Sequence, residues 1–83
     1  MPFFITSDPK LKQGRPIIVG TATMVRTIAA CWKLGMSVDE ILENYSHLTP
    51  SQVFAALTFY WDNREAIDRD LGADQMLAGL NHA

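Results

Sequence analysis

Apolar positions recur at three and four residue intervals from about residue 23 onward, whereas the first 22 residues carry short β-rich runs broken by polar turns. The front reads Phe3-Phe4-Ile5-Thr6, a polar stretch through Asp8-Pro9 and Gln13-Gly14, then Pro16-Ile17-Ile18-Val19, a pattern that predicts a short β-hairpin or arm. Two such strands are marginal alone and need helices, or a second copy of the chain, to cover them. From Thr23 to Leu34 an apolar stripe of Met24, Val25, Ile28, Ala29, Cys31 and Trp32 predicts a first helix, with Gly35 placed to end it. Ser37 followed by Glu40 is a capping box, and Met36 with Ile41 forms the hydrophobic staple around it, so a second helix starts here with Val38, Ile41, Leu42 and Tyr45 turned inward. Thr49, Pro50 and Gln52 repeat the device, with Leu48 stapled to Val53. Beyond them Val53, Leu57, Tyr60, Trp61, Arg64, Ile67 and Leu71 carry one helical stripe as far as Gly72, about 22 residues or roughly 33 Å of helix. The expectation is one mainly α domain: an arm over residues 1–22, a three-helix unit of helix-turn-helix type with a long third helix over 23–72, and a tail over 73–83 that is either a short amphipathic turn or disordered.

A chain of 83 residues buries only about 60 to 65% of its unfolded surface, so self-association or a partner adds to a core that is marginal alone. The hydrophobic share of 48% and charged share of 19% exclude a disordered polar chain. The net charge of −2 hides a split along the sequence. Residues 1–36 hold five basic side chains, Lys10, Lys12, Arg15, Arg26 and Lys33, against Asp8, whereas residues 37–83 hold Arg64 and Arg69 against eight carboxylates. The basic front suits phosphate or an acidic partner; the acidic rear opposes nucleic acid. The start lacks the basic segment and apolar run of a signal peptide, and no stretch is apolar for long enough to span a membrane, which makes a cytoplasmic protein the expectation. The lone Cys31 has no partner for an internal disulfide.

Few residues point to catalysis. Cys31 falls within the apolar stripe and reads as an inert buried thiol, His47 sits in a tight interhelical connection where a neighbouring carbonyl is its expected partner, and His82 lies beside the terminus. Gly14 to Gly20 lacks the glycine spacing and the Lys-Ser/Thr of a phosphate loop. No enzyme, metal site or cofactor is expected. If the third helix entered a DNA groove, Ser51 and Gln52 would be its leading polar side chains, and the phosphate-neutralising cations would have to come from Lys10, Lys12 and Arg15 in the arm or from Arg26 and Lys33. Helical spacing assigns most of the aromatic residues to the core. Phe54 and Phe59 fall off the main face of the third helix, and with Met76, Leu77 and Leu80 of the tail they are the candidates for a dimer or partner interface.

The segments ITSDP (5–9), GRPIIVGT (14–21), GMSVDEIL (35–42), YSHLT (45–49) and ALTFYWDNREAID (56–68), in this order, resemble the family catalogued as domain of unknown function 433 (DUF433), which includes VapB-like antitoxins. The resemblance implies a β-hairpin followed by a three-helix, homeodomain-like unit, a tendency to form homodimers, and an antitoxin role beside a PIN-like ribonuclease toxin, with repression of its own operator DNA. It marks Gly14, Arg15, Pro16, Gly20 and Thr21 as the hallmark segment and the third helix as the DNA-facing element. Family members usually carry arginines where Val19 and Ala22 stand here, so the arm of this chain has two cations fewer for phosphate. A dimeric protein-interaction module without DNA binding is the alternative expectation.

Overall fold

The computed structural model describes residues 4–82, with side chains described through Ala73. Its element order is β1 (Ile5–Thr6), β2 (Ile17–Ile18), α1 (Val25–Lys33), α2 (Val38–Asn44), α3 (Pro50–Asp62) and α4 (Arg64–His82). The protein is thus mainly helical, with four helices behind a short antiparallel strand pair.

The strands pair Ile5 with Ile18 and Thr6 with Ile17. On its other edge β2 meets the chain returning toward α1, through an Ile17–Met24 bridge and the bond from Ile18 N–H to the Thr23 carbonyl, 2.9 Å. Gly20, at φ +80°, makes that return. Between the strands, Lys12–Gly14 forms a 3-10 turn in which Lys12 (φ 49°), Gln13 (φ 59°) and Gly14 (φ 80°) are all left-handed. For the two side-chain-bearing residues this conformation is costly, so it persists only because the flanking chain is anchored by other contacts. The anchor on the C-terminal side is Arg15, the next residue in the chain.

The helix boundaries follow from local chemistry. α1 ends in a Schellman motif: Gly35, at φ +91°, donates to the Trp32 carbonyl (2.9 Å) and Met36 donates to that of Cys31 (3.2 Å). α2 and α3 each open with a complete capping box, Ser37 with Glu40 and Thr49 with Gln52. The core is the set of faces these ends bring together. Ile18, Val25, Ile28, Ala29, Ile41, Val53 and Ala56 are fully buried, Ile5, Leu48, Tyr60 and Ile67 nearly so, and Val38, Leu42, Tyr45 and Leu57 pack around them.

The long third helix expected from the sequence is instead two helices. Asn63 leaves the helical region at φ −129°, ψ 35°, and its side-chain amide donates to the Phe59 carbonyl, 3.0 Å, which closes α3. The chain turns there and α4 lies back against α1 and α3. An unbroken helix would carry Ile67 away from the core; the break buries it. Gly72 does not stop α4, which continues to His82, so residues 73–82 prolong this helix.

Candidate functional site

The return of α4 brings the acidic rear of the chain onto its basic front. Asp70 accepts a two-point contact from the Arg15 fork, Nε at 2.8 Å and Nη2 at 3.0 Å, and lies 3.2 Å from Arg26 Nη1. The third arm of the Arg15 guanidinium donates to Gln13 Oε1 at 2.7 Å, so the left-handed turn at 12–14 aims the arginine. Two residues earlier, Asp68 accepts from Lys33 Nζ at 2.8 Å and from the hydroxyl of buried Tyr60 at 2.8 Å, with Arg64 3.8 Å away. The arm, α1, α3 and α4 therefore meet in one charged seam. Beside it lies an open groove of about 410 Å³ in which Arg15, Arg26 and Asp70 join the apolar Phe59 and Ile67.

Both carboxyls respond to this environment. The Arg15 hydrogen bonds hold Asp70 below the usual aspartate value, with Arg26 adding to the effect and partial burial opposing it. The Lys33 and Tyr60 hydrogen bonds do the same for Asp68, and Asp68 in turn raises Lys33.

A second surface is apolar. Trp32 and Trp61 are both substantially exposed and pack edge to face with centroids 5.4 Å apart, and Arg64 stacks 4.7 Å over Trp61. Leu34, just past α1, is 83% exposed, and Phe54 lies two helical turns from Trp61 on α3, also exposed.

Of the residues singled out by sequence, Arg15, Arg26 and Lys33 are brought together, each on an α4 carboxylate. Lys10 and Lys12 stand exposed on the arm and form no ion pair among the described residues. Ser51 is exposed on the first turn of α3, while the Gln52 side chain accepts from the Thr49 N–H (2.8 Å) and so serves the cap. Phe54 is exposed; Phe59 packs against the core. Met76, Leu77 and Leu80 lie outside the residues whose side chains are described. His47 meets the Thr23 hydroxyl at 2.8 Å and not a carbonyl, and Cys31 sits half-buried with its sulfur 4.0 Å from the Tyr45 hydroxyl, whose pKa burial raises.

Sequence reasoning missed Asp68, Asp70 and the hydroxyl of Tyr60 as parts of one site, although the charge split between the two halves was their signal. It also assigned Trp32 and Trp61 to the core, because their spacing matches that of buried neighbours. Among the described residues no group of three or more His, Cys, Asp or Glu is placed to hold a metal ion, and no helix is long and apolar enough to cross a membrane.

The family described as "Protein of unknown function (DUF433)" matches residues 5–60. The chain belongs to the DUF433 family. The crystal structure of a DUF433 member protein from Anabaena variabilis ATCC 29413 superposes with a TM-score of 0.79 at 33% identity, over 84% of this chain and 69% of that one. No curated protein matches the chain. The DUF433 segment ends at Tyr60. Arg15, Arg26 and Lys33 therefore come from the family's segment, and the carboxylates that hold them come from beyond it.

Proposed function

We propose that this DUF433 protein is a small cytoplasmic regulatory protein of antitoxin type, which holds a PIN-like ribonuclease through the aromatic surface around Trp32 and Trp61. The observation that carries this reading is the exposed Trp32–Trp61 pair with Leu34 beside it. Tryptophans of this kind are preferred anchors of protein interfaces, since a rigid ring buries a large area with little loss of side-chain freedom. Family membership supports the regulatory half of the reading through the resemblance to VapB-like antitoxins. In it, α2 and α3 form the homeodomain-like pair, and Lys10 and Lys12 of the arm supply what operator contact there is. No catalytic role is proposed.

The test is co-expression of the full chain with a PIN-like ribonuclease encoded beside it, then RNA cleavage with and without the chain. The reading expects a stable complex and suppressed cleavage, both weakened at least tenfold by Trp61→Ala. A chain that leaves cleavage unchanged overturns it.

A second reading, a dimeric interaction module without DNA binding, is favoured by the engagement of Arg15, Arg26 and Lys33 with Asp68 and Asp70. Light scattering separates the two: the second reading expects a dimer that Trp61→Ala dissociates and that no ribonuclease displaces.

A further inference from the structure

The charged seam has the form of a binding surface already filled from within. Arg26 and Lys33 are seven residues apart on α1, hence on one side of the helix and about 10 Å apart along it. Arg15 is carried to the same side by the left-handed turn and shares Asp70 with Arg26. A guanidinium fork on two oxygens is the contact arginine makes equally with a carboxylate or a phosphate, and a lysine ammonium serves either anion as a point charge. We propose that Arg15, Arg26 and Lys33 form a strip for the phosphodiester backbone of a nucleic acid, and that α4 occupies this strip through Asp68 and Asp70. The strip opens only when α4 swings away from α1.

Three features of the fold bear on such an opening. α4 joins α3 through the single non-helical residue Asn63, so a change of backbone angles there redirects the whole helix. Among the described residues of α4 only Ile67 is buried, with Leu71 partly so, which leaves much of the attachment to the ion pairs. The cations lie within the DUF433 segment and the acids after it. A nucleic acid must exchange its phosphates for these carboxylates, so the closed chain binds weakly while its net charge of −2 adds a general repulsion. The inference goes beyond the protein-binding reading, and its failure leaves that reading intact.

The experiment uses the full chain and fluorescence anisotropy of labelled duplex DNA and, separately, labelled single-stranded RNA, at about 50 and about 200 mM salt. Asp68→Asn/Asp70→Asn is compared with wild type and with Asp39→Asn/Glu43→Gln, which changes the net charge equally on exposed positions of α2. The proposal expects the α4 double variant to bind at least tenfold more tightly than wild type at low salt. The slope of log affinity against log salt should steepen by about 2 to 3, the share of three added phosphate contacts. Adding Arg26→Ala/Lys33→Ala should remove the gain. An equal gain in the α2 variant, or no gain with either nucleic acid, overturns the proposal. Should circular dichroism show lost helix in the double variant, Asp68→Asn and Asp70→Asn are measured singly, each keeping one attachment, under the same criteria. Which of the two probes gains affinity tells whether the strip suits a duplex or a single strand.

Discussion

Replacing Asp70 by Asn tests how firmly α4 is held. Asp70 receives two contacts from Arg15, at 2.8 and 3.0 Å, and one from Arg26 at 3.2 Å. Hydrogen bonds to charged groups contribute about 1.5 to 3 kcal/mol each when buried, but exposed ion pairs contribute only about 0 to 1. The Asp70 and Arg15 side chains are 27% and 28% exposed, which places the pair between these limits. Asn keeps one oxygen for the fork and loses the charge, so the expected cost is about 1.5 kcal/mol, a fall in Tm of about 6 to 12 °C for a domain this small. The cost depends on pH with a definite sign. Asp70 is lowered in the fold, so its contribution is complete above the unfolded value near 3.8 and is lost as pH falls through the lower folded value. The groups facing it are Arg15 from the arm and Arg26 from α1, and both stay charged throughout. Thermal melts of wild type and Asp70→Asn, followed by circular dichroism, should therefore differ at pH 7 and converge toward pH 2. A variant as stable as wild type at pH 7, or a difference that survives to pH 2, refutes the reasoning.

Two other substitutions probe the parts that hold the seam. Tyr60→Phe leaves the ring in the core and removes the hydroxyl that donates to Asp68 at 2.8 Å, so Tm should fall by about 4 to 8 °C while the helix content stays unchanged. Ile41→Ala empties a fully buried position beneath α2 and should cost about 2 to 4 kcal/mol in urea unfolding, far more than any single change in the seam.

Much of the fold was legible because its ends are written locally. Ser37 with Glu40, Thr49 with Pro50 and Gln52, and Gly35 each act within one turn of helix, and the structure has helix boundaries at all three. The strand pair came from β-branched residues on either side of a polar turn. The break at Asn63 was not legible, because Tyr60, Ile67 and Leu71 keep helical spacing across it and neither glycine nor proline marks it. What decides the break is tertiary: Ile67 reaches the core and two aspartates reach three cations only if the chain turns. Gly72 misled in the opposite direction, since a glycine inside a helix whose neighbours favour helix does not have to end it. The candidate site was half legible. Its cations were evident from the charge split, but their partners lie 35 and 55 residues away, beyond the reach of local pattern. The exposure of Trp32 and Trp61 had no local signal, because an aromatic residue at helical spacing reads as core until its neighbours are placed.

The most direct test of the account is a pH titration of the Asp68 and Asp70 side-chain carboxyl carbons by NMR in the intact protein. If α4 lies closed on Arg15, Arg26 and Lys33, both carboxyls titrate below the ordinary aspartate value of 3.8. Asp70 then rises toward that value in Arg15→Ala, and Asp68 in Lys33→Ala. Midpoints at or above 3.8 in the wild-type protein, unmoved by either substitution, would contradict the closed seam on which the account rests.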